Sequence, residues 1–315
     1  MIRSRSIWFF TSSNPTIAFG GFEGEEKKEI YQQFPDFLIP KTIYADPKMS
    51  FQEVSDAIQI SEISYPFVVK PNVGMKGILF RKIDDEDQLN SYHKMMPADY
   101  VIQEWIDLPL EVSVFYYRYP GSDKGKVSGF FAKELLHVVG NGKDDLYTLI
   151  RKHPKACYRE EELRRKHGHL FDHVLPVGKK YYLSIAGNHN RGARFISLKH
   201  EIDDTLYRTF DKLNDLTPHF YYGRYDIKTL SVEDLKAGNN FCILEYNGAG
   251  AEPNQIYDCN MRLIDAYREI LSHWKVLYEI SRYNHENGYP YWTFTQGREF
   301  LRRSKAHFKK LALFE

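Results

Sequence analysis

Two short stretches of this chain carry side chains suited to binding a cation. In Phe241–Asn247, Glu245 and Asn247 follow an apolar run at an i, i+2 spacing. In a β-strand that spacing places both side chains on one face. Carboxylate and amide oxygens beside a Gly/Ala-rich turn suit a hard cation such as Mg²⁺ carrying the phosphates of a nucleotide. Two solvated polar residues at a strand end would give the same pattern, so the neighbouring motifs have to decide.

The second stretch is 220–228, where polar and apolar residues alternate as in a strand. The alternation places Arg224 and Asp226 on one face. If this strand pairs with Phe241–Asn247, the oxygens of Asp226, Glu245 and Asn247 converge, and Arg224 points to the same place. Three oxygen ligands and a guanidinium predict a nucleotide–metal site.

A lysine and a glycine-bearing loop lie earlier in the chain. Phe67–Val69 predicts a buried strand ending at Lys70, and Ile78–Lys82 predicts the strand that returns. Backbone N–H groups in such a loop can cradle phosphate, and the lysine adds positive charge. It is not a Walker loop, because no GK[ST] opens a helix. A plain hairpin with a surface lysine stays an alternative. The loop residues expected to face phosphate are Gly74, Met75, Lys76 and Gly77.

The composition places the chain among ordinary globular proteins. It has 315 residues, is 43% hydrophobic and 27% charged, and carries a net charge of +1. That balance gives no reason to expect nucleic-acid binding or nonspecific membrane binding. No apolar run is long enough for a membrane span. The three cysteines form no CxxC pair, which favours reduced thiols and a cytoplasmic location.

The predicted elements mix strands with helices, so we expect an α+β fold. A short strand is predicted at Ile7–Phe10, and the C-terminal part is predicted to be helical from Ile256, with a break near 284–291. Four histidines fit no common zinc motif and are interpreted as surface residues; they are His153, His167, His169 and His173. Four C-terminal aromatics are interpreted as packing residues; they are Trp274, Trp292, Phe294 and Phe300.

The order of these motifs resembles the ATP-grasp superfamily, and more narrowly the D-alanine–D-alanine ligase-like carboxylate–amine ligases. The match runs from about Lys27 to Asn254. Phe67–Pro71 is similar to the family's strand with a phosphate-binding lysine, and Asn72–Gly77 to a shortened form of its mobile glycine loop. Gln103–Ile106 is similar to its hinge under the adenine. Each motif alone is weak, but their common order is specific.

The resemblance implies a role for each matching residue. Phosphates would contact Lys27, Lys70, Lys133 and the 74–77 loop. Adenine would meet Glu104 and the backbone of Trp105 and Ile106, and the ribose hydroxyls would meet Glu111. The metal ligands would be Asp226, Glu245 and Asn247, and the catalytic residues Arg224 and Lys133.

The same resemblance implies the domain boundaries. They are a reduced N-terminal segment at 1–45, two α+β lobes at 46–107 and 108–260 that clamp ATP, and C-terminal helices at 261–315. The first-substrate domain that these ligases carry before the lysine helix is missing or reduced, so the Asn14–Gly24 segment is expected to line the pocket instead. The metal motif also departs from the family at 248–254. Gly140–Lys143 and Asn188–Gly192 are interpreted either as substrate loops or as ordinary turns.

The function implied is an ATP-dependent ligase that joins a carboxylate to an amine through an acyl phosphate. The cofactors would be ATP with Mg²⁺ or Mn²⁺, and the partners small-molecule substrates such as amino acids or short peptides. A kinase-like ATP-grasp phosphotransferase and a noncatalytic ATP-binding protein remain alternatives. The sequence names neither substrate, and a homodimer stays open.

Overall fold

The computed structural model describes residues 4–185, 187, 191–258 and 261–315, with the side chains of Gln255 and Asp258 left out. Helices and strands are mixed, which confirms the α+β class. The chain divides into two compact units. The larger comprises residues 1–132 and 197–315, and the smaller comprises 133–196.

The first sheet of the larger unit is antiparallel and has the order β1-β4-β2-β3. Its strands are β1 (Thr42–Ala45), β2 (Phe67–Pro71), β3 (Arg81–Ile83) and β4 (Tyr100–Glu104). Two helices, α2 (Phe51–Ile60) and α3 (Glu86–Met95), share its apolar core. A capping box opens α2, because the side chains of Ser50 and Glu53 bond each other's backbone N–H. The predicted hairpin from Lys70 is confirmed, with a shorter return strand.

The second sheet of the larger unit runs β11-β10-β5-β6, again with antiparallel neighbours. Its strands are β5 (Leu110–Tyr117), β6 (Lys126–Glu134), β10 (Tyr222–Thr229) and β11 (Phe241–Asn247). One face packs on α6 (Asp204–Leu216) and α7 (Val232–Ala237), chiefly through Tyr225, Ile227 and Ile243. The opposite face of β10 and β11 is therefore left for the polar residues of the site.

The N-terminal segment contradicts one prediction. Phe9–Ser12 forms a 3-10 helix instead of a strand at Ile7–Phe10, because these residues pack against a helix and are paired with no strand of the described sheets. A short helix, α1 (Lys27–Tyr31), follows.

The C-terminal part is helical, as predicted. It comprises α8 (Gln255–Asp258), α9 (Leu263–Glu286) and α10 (Phe294–Ala312). Trp292 and Phe300 pack with Phe19 as expected. Trp274 and Phe294 do not pack: they are 61% and 60% exposed, which corrects that prediction.

The smaller unit has its own apolar core. It contains α4 (Leu146–Lys152), α5 (Glu160–His167) and the antiparallel pair β7 (His137–Val139) and β8 (Lys180–Tyr182), and β9 (Arg194–Ser197) follows in sequence. Asp145 caps α4, because its side chain accepts from Thr148 N. His167 is half-buried and contacts the Tyr181 hydroxyl and the Leu183 carbonyl, so it is a structural residue and not a surface one.

Within the described residues, no helix of the larger or smaller unit has both the length and the apolar character needed to cross a membrane.

Candidate functional site

Strands β10 and β11 pair as antiparallel neighbours. Asp226 lies opposite Glu245, and Arg224 lies opposite Asn247. The Asn247 amide nitrogen donates to Asp226 Oδ2 at 3.3 Å. The predicted convergence of the three oxygen-bearing residues with Arg224 is therefore present in the structure.

Asp226 is the most enclosed member of this group, with 6% of its surface exposed. Its Oδ1 accepts from Ser113 Oγ at 2.6 Å and from Arg224 Nε at 3.1 Å. Ser113 lies opposite Asp226 on β5, so the sheet register supplies this contact. Sequence reasoning missed Ser113, since one serine inside an apolar strand is not a distinctive pattern.

Arg224 also reaches the segment that follows β11. Its Nη1 donates to Asn254 Oδ1 at 3.2 Å. The Asn254 amide nitrogen is shielded from solvent and has no hydrogen-bond partner among the described residues. A buried amide donor without a partner costs free energy, so this atom is positioned for a ligand acceptor.

Lys27 connects β11, which carries the predicted metal ligands, to the predicted phosphate loop. Its Nζ lies 3.7 Å from Glu245 Oε1 and donates to the Gly74 carbonyl at 3.3 Å. Asn72 fixes the start of α1, because its carbonyl accepts from Lys27 N and its side chain accepts from Lys28 N. Lys27 and the loop are thus held as one assembly beside Glu245.

Lys70 lies at the end of β2, as expected, and is enclosed by protein. Its Nζ donates to the Tyr31 hydroxyl at 2.9 Å, and that hydroxyl donates to the Leu244 carbonyl at 2.8 Å. Burial lowers the pKa of Lys70, and the nearby Glu245 and Asp226 only partly offset it. An anion bound here would stabilise the charged form of Lys70 and so offset the cost of burying its ammonium group.

Glu25 is a further carboxyl group at this site that sequence reasoning did not single out. It lines a small recess together with Lys27, Tyr31 and Glu245. Its Oε2 is shielded from solvent and has no hydrogen-bond partner among the described residues. Burial raises the pKa of Glu25, and the neighbouring Glu245 adds to the effect. We call the six residues of this region the charged cluster: Glu25, Lys27, Lys70, Arg224, Asp226 and Glu245.

The loop after β2 has the backbone of a tight turn. Lys76 and Gly77 have φ of +55° and +69°, a region that glycine adopts readily and lysine seldom does. Further along, Leu79 N donates to the Glu315 carboxylate at 2.6 Å, and Arg81 lies 3.6 Å from the same oxygen. His307 of α10 contacts the Val73 carbonyl at 2.8 Å. The last helix therefore packs against this hairpin.

The predicted hinge follows β4. Glu104 Oε1 accepts from Lys41 N at 2.9 Å, which fixes its carboxylate. Two ammonium groups lie over the Trp105 ring, with Lys228 at 5.1 Å and Lys82 at 5.7 Å from its centroid. Lys228 also donates to the Ile106 carbonyl at 2.9 Å and thereby ties the hinge to β10.

Lys228 was missed because its contact with the hinge depends on two sheets meeting. It lies opposite Glu111 on β5, so the residue predicted to bind ribose is next to the hinge.

Asn14 organises the segment that was expected to line the pocket. Its amide donates to the Gly20 and Tyr222 carbonyls, and its oxygen accepts from Tyr222 N. Ala249 N and Gly250 N donate to the Gly20 and Gly21 carbonyls at 3.0 Å. A Cβ on Gly250 would lie 2.0 Å from the Phe22 carbonyl oxygen, so this close approach requires glycine.

Some of the predicted site residues belong to the smaller unit. Lys133 is the first residue of the smaller unit, and its predicted role stays a prediction. Gly140–Lys143 belongs to the smaller unit as well, and there Asn141 accepts from Lys143 N and Asp144 N as in an ordinary turn. Of Asn188–Gly192, positions 188–190 lie outside the described residues.

The chemistry of the donor set fits a hard cation. Two carboxylates and an amide, from Asp226, Glu245 and Asn247, offer oxygen donors from adjacent strands. The described residues contain no group of three or more His, Cys, Asp or Glu arranged to hold a metal. Three protein oxygens leave coordination positions for water and phosphate, as Mg²⁺ requires when it arrives with a nucleotide.

The chain is similar to solved structures of two kinds of enzyme. D-alanine–D-alanine ligase from Bacillus anthracis matches with TM-score 0.45 and 15% identity, over 84% of this chain and 69% of that one. The ligase of the same name from Coxiella burnetii matches with TM-score 0.45 and 9% identity, over 90% and 61%. A bifunctional glutathione synthetase from Pasteurella multocida matches with TM-score 0.39 and 12% identity, over 79% and 35%.

The chain spans about a third of the length of the glutathione synthetase and under two thirds of the Coxiella ligase. No family model matches the sequence, and no curated protein matches it either. At these TM-scores the superpositions carry no weight of their own, so the functional assignment rests on the side chains of the site.

Proposed function

We propose that this protein is an ATP-grasp enzyme that joins a carboxylate to an amine with ATP as the energy source. The observation that supports this most is the contact set of Lys27. One ammonium group touches both Glu245, on the predicted metal strand, and Gly74, in the predicted phosphate loop. A metal-bound polyphosphate would occupy the space where these two elements meet.

The residues of the site divide the task between them. Lys27, Lys70 and the 74–77 loop hold phosphates, and the positively charged ammonium group of Lys133 contacts the terminal phosphate. Glu104, Trp105 and Ile106 hold the adenine, and Glu111 the ribose. Asp226, Glu245 and Asn247 would hold Mg²⁺, which would supply positive charge beside the phosphates of the nucleotide. Arg224 then stabilises negative charge as it develops on the transferred group.

The reaction proceeds in two steps. A substrate carboxylate oxygen attacks the γ-phosphorus, the bond to the β–γ bridging oxygen breaks, and ADP leaves with an acyl phosphate formed. The amine nitrogen then attacks the acyl carbon, the C–O bond to phosphate breaks, and the amine proton passes to phosphate or solvent. Because positioning and charge neutralisation dominate phosphoryl transfer, a site rich in fixed charges suits this chemistry.

The carboxylate and amine substrates are expected to bind beside the segments around Asn14 and Asn254. The Asn254 side chain accepts from Arg224 Nη1, and its amide nitrogen has no hydrogen-bond partner among the described residues. The 248–254 tail departs from the family sequence, so the substrate pair is set by this chain's own residues.

The test is ADP release measured with pairs of amino acids, D-alanine included, and with short peptides. Mass spectrometry of the products follows each positive pair. The Asp226→Ala variant gives the background rate of ADP release. An amide product that depends on both substrates and on Asp226 is expected. A phosphorylated product without an amide would identify a phosphotransferase instead, and nucleotide binding without ADP formation for any pair would identify a noncatalytic protein.

A further inference from the structure

Helix α10 and the residues that follow it contact the predicted phosphate loop at both of its ends. At the start of the loop, His307 Nε2 lies 2.8 Å from the Val73 carbonyl oxygen. Because a carbonyl oxygen only accepts, the histidine ring is the donor. At the end of the loop, Leu79 N donates to the Glu315 carboxylate at 2.6 Å. The residues expected to face phosphate, 74–77, lie between these two contacts.

The contact with Glu315 secures a backbone conformation that leucine seldom adopts. Leu79 has φ of +51°, in the left-handed region. Its side chain is buried in the apolar core that also contains Leu311 of α10. The Tyr92 hydroxyl donates to its carbonyl at 3.0 Å. Leu79 is therefore held through its side chain, its N–H and its carbonyl, as a strained backbone requires.

The loop itself depends on how Leu79 is held. Lys76, in the middle of the loop, also has a positive φ, of +55°. Two consecutive turns, closed by hydrogen bonds from Ile78 N and Phe80 N, connect Lys76 to Leu79. A change of backbone at Leu79 is therefore expected to reorient the N–H groups that a phosphate would meet.

The same helix lies against the segment that leads into Lys27. Gly24 has φ of +82°, and a Cβ at this position would overlap Ser304 Oγ. Ser304, His307 and Leu311 are spaced by three and four residues, so they share one face of α10. That face therefore contacts both segments whose meeting, through Lys27 and the loop, supports the proposed function.

The hydrogen bond from Leu79 N is the more important of the two contacts of Glu315. Its carboxylate also lies 3.6 Å from Arg81 Nη2, but the two side chains are 25% and 32% exposed. A long and partly solvated ion pair contributes little. An uncharged acceptor at position 315 should therefore replace most of what the carboxylate does.

We propose that α10 and its C-terminal turn hold the phosphate loop in its nucleotide-binding conformation, with His307 and Glu315 as positioning residues that act through the loop backbone. This inference rests on the proposed function, since it assigns the loop to the phosphates of ATP. A loop that is ordered before binding loses less conformational entropy when phosphate enters, and the affinity is higher. The predicted adenine hinge is fixed by other contacts, from Lys41 N and Lys228 Nζ. The effect of α10 should therefore depend on the phosphates of the ligand.

Calorimetric titration with a nonhydrolysable ATP analogue and with adenosine tests the proposal. Glu315→Ala should weaken binding of the analogue by about tenfold and leave adenosine binding unchanged, because only phosphates meet the loop. His307→Phe, which keeps a ring and removes the donor, should act in the same direction. Glu315→Gln should bind nearly as the wild type does, since its amide oxygen still accepts from Leu79 N. Glu299→Ala, at an exposed residue of α10, is the matched control.

Hydrogen exchange without nucleotide separates positioning of the loop from a general effect on folding. In Glu315→Ala the amides of 75–79 should exchange faster, while those of β2 and β4 keep the protection of the wild type. A loss of protection throughout the first sheet would assign α10 a purely structural role and would overturn the proposal.

Two results of the titration would also overturn it: equal affinity of Glu315→Ala and the wild type for the analogue, or equal losses for the analogue and adenosine. In both cases the wild type still binds the ATP analogue, so the proposed function would stand. A wild type that binds neither ligand would instead refute the proposed function, and with it the role of α10.

Discussion

The molecule contains two groups of mixed charges that differ in how completely their partners are satisfied. In the smaller unit, Glu162 contacts Arg159, Lys166 and Arg191, and together they hold the pKa of Glu162 at about 2 against the opposing effect of burial. In the charged cluster of the larger unit, Glu25 keeps a shielded oxygen that has no partner among the described residues. There the pKa of Glu25 is raised and that of Lys70 is lowered.

We infer from this difference that the first group stabilises the fold and the second binds a ligand. Charges that are fully paired within the protein stabilise the fold and have little left to offer a ligand. Charges that are buried without sufficient partners weaken the fold, and a bound ligand recovers that cost. Isosteric Glu→Gln changes at three positions test this directly, because each removes a charge and keeps the side-chain shape.

The largest effect is expected for Glu245→Gln. Its carboxylate is 39% exposed and lies 3.7 Å from the Lys27 ammonium, a long and partly solvated ion pair, so the fold should be nearly indifferent to the change. Nucleotide turnover with the true substrate pair should fall by at least about 100-fold, because the proposed metal ligand and its charge are lost. ADP release and thermal unfolding are measured on the same samples. Unchanged turnover would refute the assigned role.

Glu162→Gln should have the opposite profile. The folded pKa of Glu162 lies below the ordinary value of 4.5, so its contribution to stability is complete above pH 4.5 and is lost as pH falls toward about 2. At neutral pH the variant should lose about 2 kcal/mol of stability in the smaller unit. Hydrogen exchange of α5 measures this. Equal protection in variant and wild type would show that the pairing contributes nothing, and nucleotide affinity should not change.

A smaller effect is expected in the pH dependence of nucleotide binding. The pKa of Lys70 is lowered by burial, and a phosphate favours its charged form. Affinity for a nonhydrolysable ATP analogue should therefore fall as pH rises through that lowered pKa, and Lys70→Arg should remove this fall because arginine stays charged. Calorimetric titration across alkaline pH measures it, with Lys94→Arg on the exposed face of α3 as control. An identical pH profile for all three proteins would contradict the assignment.

The smallest effect is expected for Glu25→Gln. Because the folded pKa of Glu25 is raised, its stabilising effect is complete only below the ordinary pKa and is lost as pH rises through the folded value. At neutral pH the variant should therefore be more stable than wild type by up to about 1 kcal/mol. Denaturant unfolding at neutral pH, compared with Glu299→Gln on α10, measures the gain. If Glu25→Gln lost stability instead, Glu25 would be a carboxylate that stabilises the fold, as Glu162 does.

Local sequence patterns predicted most of the elements. The Phe241–Asn247 strand, the Ser50 capping box and the Asp145 cap depend on neighbours in sequence, and all are present. The Ile7–Phe10 strand was wrong because a short apolar run fits a strand and a buried 3-10 turn equally well. Trp274 and Phe294 were wrong because aromatic character alone does not say which side of a helix meets the core.

Sequence by itself determined the chemistry-bearing residues and their faces. The i, i+2 spacings of Arg224/Asp226 and Glu245/Asn247 required only the alternation of a strand. Tertiary structure decided which strands pair, and with that the contacts of Ser113 with Asp226, Lys228 with Ile106 and Lys27 with Gly74. These pairs are separated by 113, 122 and 47 residues, and no local preference encodes such contacts. They arise because burying the apolar faces of two sheets fixes where the polar residues at their edges meet.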